Sequence, residues 1–231
     1  MDADRASRPA AADTPRGNRT PATGVKGPRA DRYTMGARDP ESTRPGALLL
    51  ARHGETAYNA EGRFQGLGPV PLNARGRAQA HQLAAAAASR GFVELWCSPL
   101  VRARETADIV GATIGLTPIE DARLVETDTG DWTNRSFASV MAEDPERFAA
   151  FQRADLDFAF PGGESLRDQT ARILDALREI GRRPTPVLVV FHAMAIRLAF
   201  TALGHPIATV PNAALIDWSC AASSSGRAPD F

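Results

Sequence analysis

The chain has 231 residues, and its 27 Lys and Arg side chains balance its 27 Asp and Glu side chains. A net charge of zero gives no field that favours nucleic acid or an anionic membrane, so neither is expected as a partner. No apolar run approaches the roughly 20 residues that cross a bilayer, and residues 1–5 carry no secretory apolar core, so a soluble, cytoplasmic protein is expected. Cys97 and Cys220 are the only cysteines and lie far apart, which predicts neither a disulfide framework nor a zinc site.

The two ends of the chain are predicted to be tails. Residues 1–45 are rich in Pro, Gly, Arg, Asp, Ser and Thr, and their few apolar side chains cannot offset the entropy of ordering them. We therefore predict a disordered N-terminal tail over 1–45, with Met35 as an alternative start. The domain is predicted over 46–220, followed by a short C-terminal tail over 221–231.

The domain is organised around the stretch from Leu48 to Thr56. A short apolar run predicts a buried strand, and it ends in Arg52, His53 and Gly54, where a strand meets a loop. Arginine offers a planar fork of donors for phosphate oxygens, histidine is a nucleophile or proton carrier near neutral pH, and glycine lets an anion approach the backbone. This combination indicates a phosphoryl site, although three residues alone fit a charged surface loop equally well.

Strands alternate with helices along the rest of the domain. Caps, breakers and apolar periodicity predict, in chain order, a loop over 63–72, a helix over 74–90 capped by Asn73, a strand over 92–97 and a helix over 99–114 capped by Ser98. They then predict two short helices between 136 and 160, a helix through 181 capped by Ser165, a strand over 186–191, a helix over 193–203 and an edge strand over 212–218. This alternation predicts a mostly parallel sheet with helices on both faces.

Three separate segments are predicted to meet at one edge of that sheet. His53, residues 98–102 and His192 each follow the carboxyl end of a strand, and in a parallel sheet those ends share an edge. Arg102 lies in the first turn of its helix, where its charge opposes the helix dipole, and a bound anion would explain its presence. The convergence favours the phosphoryl site over the surface loop.

A series of motifs then resembles one family. In order along the chain they are Leu50-Ala51-Arg52-His53-Gly54-Glu55-Thr56 with Asn59, Gln65-Gly66, Ser98-Pro99-Leu100 with Arg102-Ala103 and Thr106-Ala107, Leu124 with Glu126 and Gly130, Gly163-Glu164-Ser165, and Val190 with His192. They resemble the motifs of the histidine phosphatase superfamily, also called the phosphoglycerate mutase-like family, over roughly Ala47 to Trp218. The resemblance implies an α/β fold, a three-layer sandwich with a mostly parallel sheet.

The resemblance also implies a role for each site residue. His53 would be the nucleophile that takes the phosphoryl group, so it should be neutral, with its other ring nitrogen donating to a carbonyl. Arg52, Arg102 and His192 would surround the phosphate, and Glu126 would protonate the leaving oxygen. Two arginine forks and an imidazole can neutralise a phosphate, so no metal and no cofactor are expected. The residues expected to bind phosphate or substrate are Arg52, Asn59, Gln65, Gly66, Arg102 and Ala193.

Three functions fit this pattern. The first is a metal-independent phosphomonoesterase that acts on a small phosphorylated metabolite through a phosphohistidine. The second is a phosphoglycerate mutase, but the family's mutases carry a longer segment where this chain has only Thr133 to Pro161. The third is a domain that binds phosphorylated ligands without turnover, which is expected if Ala193, standing where the family usually has glycine, displaces His192. The oligomeric state stays open, with a homodimer among the alternatives.

Overall fold

The computed structural model describes residues 47–218; the predicted tails over 1–45 and 221–231, and Met35, lie outside these residues. The described chain is an α/β fold on a five-stranded, mostly parallel sheet. Its strands are β1 Leu48–Arg52, β2 Glu94–Cys97, β3 Ile119–Glu120, β4 Val187–Phe191 and β5 Leu215–Asp217. Its helices are α1 Ala57–Glu61, α2 Ala74–Ala87, α3 Val101–Ile114, α4 Phe137–Glu143, α5 Pro145–Gln152, α6 Leu166–Ile180 and α7 Ala193–Ala202. No helix between residues 47 and 218 is long and apolar enough to cross a membrane.

The strands are ordered β3-β2-β4-β1-β5, and only β5 runs antiparallel to its neighbour. The fully buried strand β4 lies between β2 and β1. Phe191 at its end pairs with Arg52 of β1, and Val190 pairs with Cys97 of β2. Because the three strands end in register, the residues that follow them emerge at one edge of the sheet, as predicted: His53, Ser98 and His192.

The sheet is the middle layer of three. Side chains alternate between the two faces of a strand, and in β1 Leu48 and Leu50 join the core formed with α6 and α7. Leu49 and Ala51 of the same strand join the core formed with α2 and α3 on the opposite face. This arrangement confirms the predicted three-layer sandwich, and it explains why β1 and β4 read as nearly continuous apolar runs.

A third core lies beyond the edge where the site residues emerge. We call it the aromatic cap, because α4, α5 and their flanking loops contribute most of its members, which include Phe64, Trp132, Phe148, Phe151, Phe158 and Phe160. Its rings pack edge to face or tilted, with centroids of Phe64 and Trp132 5.2 Å apart and those of Phe158 and Phe160 4.9 Å apart. The aromatic cap therefore forms a packed wall beside this edge of the sheet.

The structure corrects two predicted helix boundaries and adds two elements that the sequence did not predict. Helix α3 begins at Val101 and its N-cap is Leu100, so Ser98 is not the cap and Pro99 lies outside the helix. The predicted helix over 74–90 ends at Ala87, three residues early, although Asn73 caps it as expected by accepting from the backbone of Gly76. Helix α1 and the two-residue strand β3 were not predicted at all, because each is too short to show a periodic apolar pattern.

Candidate active site

A cavity of about 550 Å³ opens at the carboxyl edge of the sheet. Eight of the nine residues that the sequence nominated line it: Arg52, His53, Asn59, Gln65, Gly66, Arg102, Glu126 and Ala193. The ninth, His192, is fully buried beside them, and its ring centroid is 5.3 Å from that of His53. The nominated residues therefore come together, although more than 130 positions separate some of them in the sequence.

His53 presents one free ring nitrogen. Its Nδ1 is 2.6 Å from the carbonyl oxygen of Gly54, and because a carbonyl can only accept, Nδ1 carries the hydrogen. Nε2 is then an unprotonated base. Burial and the charges of Arg102 and Arg52 hold the pKa of His53 well below its usual value of 6.5, so the neutral ring is the form present at neutral pH.

The loop that carries His53 is held by close backbone contacts. The Gly54 N–H donates to the Thr106 hydroxyl of α3 over 3.1 Å, and that hydroxyl also donates to the Arg102 carbonyl. The start of α2 presses on the same loop, since a Cβ at Gly76 would lie 2.0 Å from the carbonyl oxygen of Glu55. Glycine at position 76 is therefore required for α2 to support the loop.

Arg102, which is buried, and Arg52, which is half-buried, bring two guanidinium groups to the cavity. Arg102 is 1 % exposed and donates to the carbonyls of Gly66 and Gly68, over 2.9 and 3.1 Å, which ties the loop over 63–72 to α3. Arg52 donates to the Val210 carbonyl over 2.6 Å. Burial lowers the pKa of Arg102 to about 10 and lowers that of Arg52. Within residues 47–218 neither arginine forms a salt bridge, and both have a buried Nε without a partner.

Asn59 is oriented by its own helix. Its Oδ1 accepts from the Thr56 N–H over 3.1 Å in the capping box of α1, which turns its amide nitrogen away from the cap. Asn212 donates to the same Oδ1 over 3.2 Å and to the His53 carbonyl over 3.1 Å. Gln65 accepts from the Thr56 hydroxyl over 2.9 Å. A network of uncharged side chains thus fixes the rim of the cavity opposite Arg102.

Glu126 is the one carboxylate among the described residues that line this cavity. Its Oε1 accepts from the Thr127 N–H and from the side-chain amide of Gln169, over 3.0 and 3.1 Å. Its Oε2 accepts from the Met194 N–H, in the first turn of α7, over 3.3 Å. These contacts fix the carboxyl group with helices α6 and α7 as its support.

A half-buried ion pair holds the backbone on which Glu126 lies. Arg172 of α6 donates to the carbonyls of Arg123, Val125 and Glu126, over 2.7, 2.8 and 3.2 Å. The same guanidinium pairs with both oxygens of Glu164, at 2.6 and 2.7 Å. We call this arrangement the Arg172–Glu164 clamp.

His192 and Ala193 follow β4. The His192 ring is 0 % exposed, with Nε2 2.8 Å from the Ser98 hydroxyl and Nδ1 buried without a partner among the described residues. Burial, then Arg102 and His53, hold the pKa of His192 well below 6.5. Ala193 begins α7, so its backbone has the helical geometry that any residue can adopt, and His192 stays beside His53. The displacement of His192 by Ala193, on which the non-catalytic alternative depended, is therefore not seen.

Several residues at the cavity were not nominated from the sequence. Arg197 of α7 lines it and donates to the Gln152 carbonyl over 2.9 Å, and Arg63 lines it beside the aromatic cap. Asn212 was assigned only to an edge strand. Arg197 had a usable signal, since it lies four residues beyond Ala193 and therefore on the same face of the predicted helix. The contact of Asn212 depends on the fold of a distant loop.

Aromatic side chains form part of the cavity wall. Phe137, Phe148, Phe151 and Phe160 line the cavity, and all of them except Phe137 also belong to the aromatic cap. Within the part of the chain that the structure describes, no group of three or more His, Cys, Asp or Glu side chains is placed to hold a metal ion.

Comparisons with known proteins identify the class. The model of the histidine phosphatase superfamily (branch 1) matches residues 48–223, and the chain belongs to this family. The family resemblance seen in the motifs is thereby confirmed, and the class of enzyme is phosphatase or mutase.

Proteins named as phosphatases and proteins named as mutases are both similar to the chain. A probable phosphoglycerate mutase GpmB of Escherichia coli is 35 % identical over 163 residues, which is 69 % of this chain and 75 % of the relative. A mycobacterial glucosyl-3-phosphoglycerate phosphatase, solved with VO3, is 33 % identical with a TM-score of 0.66, covering 73 % of this chain and 90 % of that one. A phosphoglycerate mutase from Thermus thermophilus is 31 % identical with a TM-score of 0.62, covering 74 % of this chain and 91 % of that one.

Proposed function

We propose that the chain is a phosphomonoesterase that works through a phosphohistidine at His53 and needs no metal ion. The observation that carries the proposal is the state of His53, a buried neutral imidazole whose Nδ1 hydrogen is held by the Gly54 carbonyl. Beside it are Arg52 and Arg102, two cations without a carboxylate partner among residues 47–218. An uncharged nucleophile between unpaired guanidinium groups suits attack on a dianionic phosphate.

The first half of the reaction forms the phosphohistidine. Nε2 of His53 bonds to phosphorus while the bond from phosphorus to the ester oxygen breaks. Glu126, in its protonated form, gives its proton to that oxygen, and the alcohol leaves. The two arginines and His192 stabilise the charge on the remaining oxygens of the phosphoryl group.

The second half returns the enzyme to its starting state. Glu126, now a carboxylate, takes a proton from a water molecule, whose oxygen bonds to phosphorus as the bond to Nε2 breaks. Inorganic phosphate leaves, and Glu126 is protonated again. Asn59, Gln65, Gly66 and Ala193 are assigned to binding phosphate or substrate, because each lines the same cavity.

The substrate class is a small phosphorylated metabolite. A cavity of about 550 Å³ lies within the range of pockets that hold small molecules. The similarity to a glucosyl-3-phosphoglycerate phosphatase makes that phosphorylated acid a reasonable first member of a substrate panel. The aromatic side chains that line the cavity add apolar surface for the leaving group of the substrate.

A mutase is the second candidate, because two of the similar proteins are a mutase and a probable mutase. A mutase must keep the dephosphorylated product bound and exclude water until the product is phosphorylated again. In this chain the segment between Trp132 and Gly162 contains only α4 and α5, and Phe137 on the cavity wall is 40 % exposed. This open wall favours release of the product and hydrolysis.

One experiment separates these functions. Purified protein is incubated with p-nitrophenyl phosphate, 3-phosphoglycerate and glucosyl-3-phosphoglycerate, and both inorganic phosphate and isomerised phosphoglycerate are measured. We expect inorganic phosphate and no isomer, with His53→Ala as the inactive control. Isomer without inorganic phosphate would establish a mutase, and binding of inorganic phosphate without turnover of any substrate would establish a binding domain.

A further inference from the structure

Two fully buried polar side chains meet behind His53. The Ser98 hydroxyl follows β2 and lies 2.8 Å from Nε2 of His192, which follows β4. Both residues are 0 % exposed. Ser98 is not the helix cap that the sequence predicted, since the N-cap of α3 is Leu100.

The hydrogens of this pair can be assigned from their partners. The Ser98 oxygen accepts from the Leu100 N–H over 3.2 Å, so its own hydrogen needs an acceptor. Among residues 47–218 the hydroxyl has one other hydrogen-bond partner, Nε2 of His192. If the hydroxyl donates to Nε2, both atoms are satisfied. If Nε2 donated instead, the buried hydroxyl hydrogen would have no acceptor, which costs stability.

The other nitrogen of the His192 ring, Nδ1, belongs to a ring that lies beside His53. Nδ1 of His192 is buried and has no partner among the described residues, and the ring lies 5.3 Å from that of His53. A ring that accepts at Nε2 and is neutral must carry its hydrogen on Nδ1. Dianionic phosphoryl oxygens only accept hydrogen bonds, so a protonated Nδ1 attracts them and a bare Nδ1 would repel them.

We infer that Ser98 is a positioning residue that fixes His192 as the Nδ1-protonated tautomer, so that the neutral ring donates a hydrogen bond to the phosphoryl group at His53. The inference rests on the proposed function, because a phosphoryl group must come to His53. It gives Ser98 a role in the reaction without contact with the substrate, since it acts through His192.

The tautomer can be observed directly. Protein labelled with ¹⁵N-histidine is studied by long-range ¹H–¹⁵N correlation at pH 7.5, with the His192 signals assigned by their loss in His192→Asn. We expect a protonated Nδ1 and a bare Nε2 in the unchanged chain. Addition of inorganic phosphate should shift the Nδ1 proton downfield, as a new hydrogen bond requires. A His192 ring protonated on Nε2 would overturn the inference.

Three variants then test whether Ser98 sets this state. Ser98→Ala should give a mixture of tautomers or the Nε2-protonated form, with affinity for inorganic phosphate and kcat/KM each lowered roughly tenfold, the usual effect of one hydrogen bond. Ser98→Thr keeps a hydroxyl and should restore both. Thr170→Val is the matched control, since it removes a buried hydroxyl that donates only to the Leu166 carbonyl in α6. Melting temperatures show whether each variant is folded.

The outcomes separate this inference from the proposed function. If Ser98→Ala is folded and retains the tautomer and the phosphate affinity of the unchanged chain, the inference is wrong while the phosphatase proposal stands. If the unchanged chain hydrolyses no phosphomonoester but shows the expected tautomer and its dependence on Ser98, the inference stands and the phosphatase proposal is wrong.

Discussion

The roles proposed for single residues follow from where each hydrogen and charge lies. His53 is neutral because burial and two arginines make its charged form unfavourable. Its basic nitrogen is Nε2, because Nδ1 donates its hydrogen to the Gly54 carbonyl. Glu126 is held by two helices and is the one carboxylate on the cavity wall. In the proposed reaction one residue therefore supplies the electron pair and the other supplies the proton.

The role of Glu126 as a proton donor can be tested by the choice of leaving group. A general acid matters more as the leaving oxygen becomes a poorer carrier of negative charge, so its removal should harm alkyl phosphates more than aryl phosphates. Glu126→Gln should keep much of its rate on p-nitrophenyl phosphate and lose roughly 10²-fold on a sugar or glycerate phosphate. Steady-state rates of the purified variant on both substrates provide the measurement. Equal losses on the two substrates, with unchanged melting temperature, would indicate that Glu126 only positions the arginines.

The sequence nominated cavity residues at strand ends and in motifs, and it did not nominate Arg197 of α7 or the residues brought in by loops. His53 and His192 follow buried strands, so their meeting at one edge required only the parallel sheet. Asn212 contacts the His53 carbonyl from 159 positions away, through a loop whose path no local pattern encodes. The Ser98 hydroxyl was misassigned because Ser followed by Pro is a common helix start, and its true partner lies on another strand.

Among the elements, α6 holds Glu126 and the loop on which Glu126 lies. Its cap residue Ser165 accepts from the Asp168 backbone, as predicted, and its inward face carries Gln169, which contacts Glu126. Its Arg172 completes the Arg172–Glu164 clamp on the loop that carries Glu126. The sequence placed α6 correctly, but periodicity alone could not show that a charged residue of this helix binds three carbonyls.

The Arg172–Glu164 clamp can be tested with two arginine variants. Arg172→Met removes the partner of a largely buried carboxylate and of three carbonyls, so the free energy of unfolding should fall by about 2 kcal/mol. Misplacement of the Glu126 loop should lower kcat by roughly 10- to 100-fold. Arg104→Met is the matched control, because Arg104 pairs on the surface with Asp108 and Glu120 and makes no contact with the clamp among the described residues. It should cost no more than about 1 kcal/mol and leave kcat unchanged. Equal effects of the two variants would show that the clamp does not position Glu126.

At the scale of the whole molecule, the fold places several arginine side chains around one cavity. Arg52, Arg63, Arg102 and Arg197 line it, whereas Glu126 is the one carboxylate among its described lining residues. Burial lowers the pKa of Arg52, Arg102 and Arg197. A bound anion should therefore stabilise the chain. Inorganic phosphate at 100 times its Kd is expected to add about 2.7 kcal/mol to the free energy of unfolding, which a thermal melt can measure.

The buried histidines predict how stability depends on pH. The pKa values of His53 and His192 lie well below 6.5 in the folded chain, so below pH 6.5 the unfolded chain binds more protons and the folded state loses stability. Between pH 7.5 and 5.5 the loss should be roughly 2–3 kcal/mol for the two rings together. Urea melts at several pH values measure it.

Histidine variants identify the source of this pH dependence. His192→Asn should reduce the loss of stability between pH 7.5 and 5.5, because one of the two titrating rings is gone. His81→Gln, a change at an exposed position of α2, should keep the pH dependence of the unchanged chain. Stability that is constant or rises as the pH falls to 5.5 would contradict the neutral, buried histidines.

The proposed reaction also predicts that a chelator has no effect. Guanidinium and imidazole groups neutralise the phosphate in this scheme, so activity in excess EDTA should equal activity without it. The measurement is the rate on p-nitrophenyl phosphate after dialysis against EDTA. Loss of activity that a divalent ion restores would show that a metal takes part.

The most direct test of the central claim is to trap the phosphoryl group on the protein. Rapid quenching after mixing with a ³²P-labelled phosphomonoester should give a label on His53 that is labile in acid and stable in alkali, as a phosphoramidate is. His53→Ala should lose the label and the turnover together, while the exposed His81→Ala should keep both. A label that persists in His53→Ala, or turnover that persists without it, would contradict a phosphohistidine at His53.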